Sequence, residues 1–186
     1  MKTIKEIAPY LPYNLGIKIL NHKSDYIGIE YSTINGFYYV NDIPHFEYKG
    51  GGTGKSFDDC KFIMRPLSDL TKPCLEDSKI PIVELAKISE GKHFSSEFII
   101  NENVARGYYL ITYKETSSED LFIFSYTHEQ KGFYLNCDNK KRRVMVENQF
   151  QLFQKLFEWH FDMFNLIEEG YAIDINTLNN IPNEIY

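Results

Sequence analysis

The chain has 186 residues, a net charge of −6 and apolar side chains at 43% of its positions, a balance that fits a globular protein. Its acidity argues against nonspecific binding to duplex nucleic acid, which needs a larger positive surface. The sequence contains no apolar run of about 20 residues that would span a membrane. The N-terminal residues MKTIKEIAPYLPYN lack the apolar core of a secretory signal peptide. We therefore expect a cytoplasmic protein.

The N-terminal part is predicted to contain a short helix followed by strands. TIKE, residues 3–6, is a capping box that begins a helix, and the prolines that follow keep this helix short. Alternating apolar residues predict strands over residues 16–20 and 25–31. The Asn-Gly pair within STING, residues 32–36, predicts a hairpin turn that leads into a strand over residues 37–40.

The stretch KGGGTGKS, residues 49–56, resembles a phosphate-binding loop but departs from that motif. The motif requires G-x-x-x-x-G-K-[ST] between a buried strand and a helix, so that backbone N–H groups surround the phosphates. With Gly54 as its second glycine, the motif needs a first glycine at position 49, where the chain has lysine. We interpret residues 50–56 as a flexible glycine-rich turn within an irregular region, residues 41–59. Nucleotide binding through Lys55 is kept as an alternative.

The middle of the chain is predicted to hold a strand, a helix and then several more strands. KFIM, residues 61–64, predicts a strand that ends at Pro66, and Pro81 begins a helix over residues 80–88. Four β segments follow: RGYYLITYK, DLFIFSYT, KGFYLNC and RRVMVE. The short polar connections between them favour an antiparallel meander.

The segment NQFQLFQKLFEWHFDMFNLIEEGY predicts one long helix near the C-terminus. Asn148 and Gln151 form a capping box, and Gly170 supplies the stop. Phenylalanine and leucine positions form a wide apolar arc, so the helix is expected to pack against the sheets. His160 lies inside that arc and is interpreted as a hydrogen-bonded structural residue.

Together these elements predict an α+β fold, with antiparallel sheets packed on one long C-terminal helix and short additional helices. We expect a single globular domain over residues 1–186, which can divide into two lobes. The first lobe, residues 1–75, holds the N-terminal helix and hairpin, and the second, residues 76–186, holds the meander and the long helix. The three cysteines form no C-x-x-C pair and the five histidines are scattered, so no disulfide framework, metal site or cofactor is predicted.

Acidic residues are concentrated near the C-terminus. Residues 144–186 contain seven acidic residues and one basic residue. Glu158, Asp162 and Glu169 share the polar face of the predicted long helix, and we treat them as candidate partner-binding residues. An acidic face complements a basic, nucleic-acid-binding groove on a partner. Ordinary solubility explains the same acidic residues equally well.

Basic residues form one cluster, Lys140, Lys141, Arg142 and Arg143, at the last predicted turn and strand. One interpretation is a solvated hairpin end. The other is a contact with the phosphates of a guide RNA or another nucleic acid, since charge supplies much of nucleic-acid affinity. Because side chains alternate along a strand, Arg142 and Arg143 are expected to point to opposite faces.

Several segments resemble a family of small uncharacterised proteins encoded by phages and prophages of Bacteroidetes. They occur in the same order and are, by sequence, IAPYLPYNLGIKI, MRPLSDLTK, PIVELAKI, NQFQLFQKLFEWHFDMFNLIEEG and AIDINTL. Residues 41–61, which contain the glycine-rich stretch, depart from the family pattern. The resemblance brings no active site with it.

The resemblance implies a phage-encoded protein that acts by binding inside the bacterial host cell, and the lack of a catalytic motif implies that it is not an enzyme. Its expected partner is a host protein or ribonucleoprotein that it inhibits or modulates, with contact to guide RNA. One specific form of this expectation is an anti-CRISPR inhibitor of a type VI-B RNA-guided RNase. Two alternatives remain open: a phage structural or replication accessory protein, and a nucleotide-binding enzyme that uses Lys55.

Overall fold

The computed structural model describes residues 4–20, 31–49, 52–56, 58–90, 94–115, 120–137 and 142–178. Within these ranges the fold is α+β, with two β-sheets and few helices. The chain divides into two compact units. Unit 1 comprises Met1–Pro66 and Leu156–Tyr186, and unit 2 comprises Leu67–Lys155. This division differs from the expected lobes, residues 1–75 and 76–186, because the C-terminal segment belongs with the N-terminal one.

The helices are α1 (Ile4–Ile7), α2 (Pro81–Glu90) and α3 (Gln149–Glu158), and short 3-10 helices occur at Ala8–Tyr13, Leu67–Thr71, Glu76–Ser78, Val104–Arg106 and Ile175–Thr177. The strands are β1 (Gly16–Ile19), β2 (Tyr31–Val40), β3 (Ile43–Tyr48), β4 (Gly52–Lys55), β5 (Cys60–Met64), β6 (Phe94–Asn103), β7 (Tyr108–Glu115), β8 (Leu121–Thr127), β9 (Gly132–Cys137), β10 (Arg142–Met145) and β11 (Ala172–Asp174).

Unit 1 contains a sheet with the strand order β11-β5-β1-β2-β3-β4. Neighbouring strands are antiparallel, except that β11 pairs with β5 in parallel. The core draws buried side chains from the strands, from the N-terminal helical turns and from the C-terminal segment. It includes Ile7, Tyr10, Leu15, Ile17, Ile34, Phe46, Phe62, Met64 and Leu166. Residues from both ends of the chain therefore build one core.

Unit 2 contains an antiparallel sheet with the strand order β10-β9-β8-β7-β6. Helix α2 packs against β7 and β8. Phe153 of α3 packs edge-on against Phe133 of β9, with 5.3 Å between ring centroids. The meander predicted over β7 to β10 is confirmed. Strand β6 was not predicted, because FSSEFIINEN lacks a clean apolar alternation.

The predicted long C-terminal helix is wrong, because α3 ends at Glu158. His160 has a positive φ of 57°, a left-handed conformation that a right-handed helix does not continue through. Phe161 instead forms an isolated parallel bridge with Arg65. Beyond that point the side chain of Asp162 binds backbone N–H groups that a continuing helix would give to its own carbonyls.

Two predictions for the region after β1 are also wrong. Residues 32–36 do not form a hairpin turn, because β2 runs through them with a bulge between Ile34 and Gly36. Residues 41–59 are not irregular throughout, since they contain β3 and β4. The strand predicted over residues 25–31 lies outside the described residues except at Tyr31, where β2 begins.

Several shorter predictions are confirmed. The predicted strands at residues 16–20 and 61–64 correspond to β1 and β5, and the helix that begins at Pro81 is α2. A short N-terminal helix is present as α1, although its proposed cap, Thr3, lies outside the described residues. In the part of the chain that the structure describes, no helix combines the length and apolar character needed to cross a membrane.

Candidate binding surfaces

The described part of the glycine-rich stretch includes a strand of the unit 1 sheet. Gly52–Lys55 is β4, at the edge of the unit 1 sheet, where Lys55 pairs with Phe46 of β3. A turn follows in which the Asp59 carboxylate accepts a hydrogen bond from the Ser56 hydroxyl at 3.0 Å, and β5 begins at Cys60. A phosphate loop needs a helix N-terminus after the glycines. This segment is followed by a turn and a strand.

His160 ties the end of α3 to the N-terminal segment. Its Nε2 lies 2.8 Å from the carbonyl oxygen of Tyr13, so the imidazole donates a hydrogen bond to that carbonyl. Burial is the largest influence on the imidazole and lowers the pKa of His160. The hydrogen bond to Tyr13 opposes this shift, and the positive charge of Arg65 adds to it. The residue therefore occupies the structural, hydrogen-bonded position expected from the sequence.

Asp162 and Tyr10 hold the segment after α3 in place. The Asp162 carboxylate accepts N–H hydrogen bonds from Phe164, Leu166 and Ile167 at 3.3, 2.9 and 2.8 Å. The Tyr10 hydroxyl donates to the carbonyl of Phe161 at 2.7 Å and accepts from the N–H of Met163 at 3.0 Å. Buried polar side chains thus replace the hydrogen bonds that a helix would have supplied.

The three candidate partner-binding acids do not share a helical face, since the helix ends at the first of them. Glu158 and Glu169 are exposed, whereas Asp162 is only 5% exposed. The Asp162 carboxylate is occupied by the backbone of its own chain. Glu158 and Glu169 are thus the two acids of this set on the surface.

The basic cluster is described in part. Lys140 and Lys141 lie outside the described residues, and Arg142 and Arg143 are exposed on β10, the edge strand of the unit 2 sheet. Arg142 pairs with Cys137 and Arg143 with Asn136 of β9, so the two arginines belong to opposite faces of the sheet. The guanidinium carbon of Arg143 lies 3.8 Å from the ring centroid of Tyr134, a cation–π contact.

An apolar surface that sequence reasoning missed lies at the end of the β2–β3 hairpin. The two strands are joined by Asn41 and Asp42, with φ values of 50° and 64°. Positive φ at both loop residues is characteristic of the tight type I′ turn, whose twist matches that of the strands. The side chains beside this turn are large, apolar and exposed, and we call them the hairpin tip: Phe37 (40% exposed), Tyr39 (55%), Val40 (42%) and Ile43 (44%).

The hairpin tip has apolar side chains on both faces of the two strands. Tyr39 pairs with Pro44, and Phe37 packs edge-on against Tyr39 with 6.1 Å between ring centroids. Val40 pairs with Ile43 on the opposite face. The signal for this hairpin was the Asn-Asp pair between the apolar runs FYYV and IPHF, a weaker turn signal than Asn-Gly.

No protein-family model, curated protein or solved structure matches this chain. Among the described residues, no group of three or more His, Cys, Asp or Glu side chains is arranged to hold a metal ion.

Proposed function

We propose that the protein is a phage-encoded, non-enzymatic binding protein that inhibits or modulates a host machine, and that it contacts its partner through the hairpin tip. The observation that supports this proposal is the exposure of four large apolar side chains beside one tight turn. Single exposed apolar residues are common on protein surfaces, whereas a group of them marks an interaction site.

The hairpin tip has the properties of an interface centre. It contains two aromatic side chains, and aromatic residues are enriched among those that carry most of the binding free energy. Burying the exposed part of each side chain contributes about 1 kcal/mol, since complete burial contributes roughly 1.5–3 kcal/mol. The tight turn and the ladder between β2 and β3 hold the side chains in place before binding, which reduces the entropy lost on association.

The charge of the protein favours a basic partner. The chain carries a net charge of −6. Asp42 in the turn and Glu47 on β3 are exposed acids on the same hairpin, and Glu158 and Glu169 are exposed elsewhere in unit 1. A partner with an apolar cleft and basic surroundings complements these features, and opposite charge accelerates association. The nucleic-acid-binding groove of an RNA-guided RNase supplies the basic part of this chemistry, because binding nucleic acid needs a positive surface.

A type VI-B RNA-guided RNase is the specific target that we propose, on the basis of the family resemblance. The test is target-RNA cleavage by a purified effector loaded with guide RNA, measured with and without this protein. We expect wild-type protein to inhibit cleavage. A variant with Phe37→Ser, Tyr39→Ser and Ile43→Thr should inhibit at least about tenfold less, the effect of removing roughly 1.4 kcal/mol or more of binding free energy.

The matched control is Phe150→Ser in α3, which changes a side chain that is 76% exposed in the same way but lies outside the hairpin. It should inhibit like the wild type. Full inhibition by the triple variant would contradict the role of the hairpin tip. If the wild type leaves cleavage unchanged, the proposed target is wrong, and affinity purification from host cells then tests for another partner.

A further inference from the structure

The unit 2 sheet has one face covered by helices and one face that we call the open face. Helix α2 packs on β7 and β8, and Phe153 of α3 packs on Tyr126 and Phe133. Alternation along the strands places the neighbours of these residues on the opposite face. Strand register gives two cross-strand rows there, Leu110–Ser125–Tyr134–Met145 and Thr112–Ile123–Asn136–Arg143.

Most side chains of the open face are exposed or half-buried. Met145 is 58% exposed and Ile99, in the second row on β6, is 65% exposed. Leu110, Ile123 and Tyr134 are half-buried. Ser125, a small side chain of the first row, is buried. The face is therefore a broad, accessible sheet surface.

The charges on the open face favour an anionic ligand. Arg143 is exposed on this face, and the described side chains there include no carboxylate. The remaining polar groups are amides and hydroxyls, as in Asn136 and Thr112. This composition is unusual in a chain whose net charge is −6. The covered side of the sheet, by contrast, includes Glu102, which pairs with Tyr109.

Tyr134 and Arg143 form a stacked pair on this face, with 3.8 Å between the guanidinium carbon and the ring centroid. Gly132 is two residues before Tyr134 on the same face, and a Cβ atom at Gly132 would lie 3.3 Å from the Tyr134 ring. The absence of a side chain at Gly132 thus lets the ring extend over the strand. Unpaired bases stack on aromatic rings and on arginine guanidinium groups.

Asn136 lies beside this pair on the open face. It is directly opposite Arg143 in the β9–β10 ladder. Its Oδ1 is buried and has no hydrogen-bond partner. Because this oxygen is buried, a ligand on the open face does not reach it, and the binding groups of this face are Tyr134 and Arg143.

We propose that the open face binds single-stranded nucleic acid through the stacked pair Tyr134 and Arg143. This site is separate from the hairpin tip and does not depend on the proposed inhibition of a host RNase. Aromatic rings on an antiparallel sheet, combined with cations for the backbone, provide sequence-tolerant binding of single strands.

The test is fluorescence anisotropy of the full-length protein with labelled RNA and DNA single strands of about 12 nucleotides, a length within the usual range of such sites. A duplex of the same sequence serves as comparison, and salt is varied between about 50 and 200 mM. We expect binding to single strands that weakens with salt. Tighter RNA than DNA binding would identify RNA as the ligand, and the reverse would identify DNA.

Single-residue variants distinguish binding at the open face from nonspecific attraction by positive charge. Tyr134→Leu should weaken binding at least about fivefold, whereas Tyr134→Phe should retain it, because stacking needs only the ring. Arg143→Gln should weaken binding and lower the slope of log affinity against log salt by about 0.7, the loss of one phosphate contact. Arg142→Gln removes the same charge from the other face of the same strand and should have a smaller effect.

Three outcomes overturn this proposal: no measurable binding to either single strand, equal or tighter binding to the duplex, or equal losses in Arg142→Gln and Arg143→Gln. The triple hairpin variant should bind single strands like the wild type. If the wild type inhibits the RNase but binds no single strand, the open-face site is wrong and the proposed function stands. If the protein binds single strands but does not inhibit the RNase, the open-face site stands and the proposed target is wrong.

Discussion

Asp162 shows how one buried side chain determines the path of the backbone after α3. It is 5% exposed, and its carboxylate accepts hydrogen bonds from three backbone N–H groups. Apolar periodicity alone predicted that the helix continues through this residue. Aspartate competes with a helix by binding nearby backbone groups, and here burial makes that competition decisive.

Replacing Asp162 by alanine should destabilise unit 1 by about 3 kcal/mol, because three backbone N–H donors, one of them fully buried, lose a charged acceptor. Chemical denaturation followed by Trp159 fluorescence measures this change. Asp162→Asn keeps one acceptor oxygen and should cost less. Glu168→Ala, an exposed acid in the same segment, should remain within about 0.5 kcal/mol of wild type. Equal effects of Asp162→Ala and Glu168→Ala would show that the Asp162 carboxylate does not stabilise unit 1.

His160 should make stability depend on pH. Burial lowers the pKa of this imidazole in the folded protein, so the unfolded state, with a pKa near 6.5, takes up the proton first as pH falls. The contribution of neutral His160 is complete above about pH 6.5 and is lost as pH falls toward the folded-state pKa.

The variant His160→Asn removes this titration and tolerates the positive φ at this position. The free energy of unfolding should therefore fall less between about pH 7.5 and pH 5.5, on either side of the histidine pKa, in the variant than in wild type. Urea denaturation at both pH values gives the comparison. If the free energy of unfolding falls by the same amount in the variant and the wild type, other groups cause the acid sensitivity.

At the scale of elements, α3 is shorter than the apolar pattern predicted. The residues of its predicted apolar arc also differ in how deeply they are buried. Phe157 is half-buried between Tyr10 and Phe164, with ring centroids at 5.1 and 6.2 Å. Phe150, in the same predicted apolar arc, is 76% exposed. Periodicity identifies which residues share a face, but it does not reveal where along the helix that face meets a core.

Phe157→Ala should cost about 3 kcal/mol of unfolding free energy, the lower end of the range for aromatic truncation in a core. Phe150→Ala makes the same change at an exposed position and should cost less than about 0.5 kcal/mol. Urea denaturation of both variants provides the measurement. A loss at Phe157 as small as that at Phe150 would mean that the aromatic contacts with Tyr10 and Phe164 contribute little.

Sequence patterns predicted the elements whose signals are local. Alternation located β7 to β10, and Pro81 marked the start of α2. Strand β4 was missed because Gly52–Lys55 has no apolar pattern, and it forms through pairing with β3. The hairpin tip was missed for a related reason: exposure depends on where the core ends, which the sequence does not encode locally. The exposed arginines of β10, by contrast, were predicted from charge and turn position alone.

At the scale of the whole molecule, unit 2 is inserted into the chain of unit 1. Within unit 1, Arg65, just before the insertion, pairs with the segment that follows α3: its N–H donates to the His160 carbonyl at 2.9 Å, and the Asp162 N–H donates to its carbonyl at 2.8 Å. Each unit has its own sheet and its own buried side chains. Domains with a separate core are in principle able to fold alone.

A fragment spanning residues 67–158 should therefore fold cooperatively by itself. It keeps the five strands of the unit 2 sheet, α2 and the whole of α3, including Leu152, which is fully buried, and Phe153. Circular dichroism and urea denaturation should show β structure with a single transition.

A matched fragment that ends at residue 145 keeps the sheet but loses Leu152 and Phe153. Removing two large apolar side chains from the core should destabilise it by roughly 5 kcal/mol or more, comparable with the whole stability of a small domain. We expect this shorter fragment to be largely unfolded. If fragment 67–158 is also unfolded, the unit 2 sheet depends on unit 1 and the chain folds as one cooperative body. If both fragments fold alike, α3 does not complete the unit 2 core.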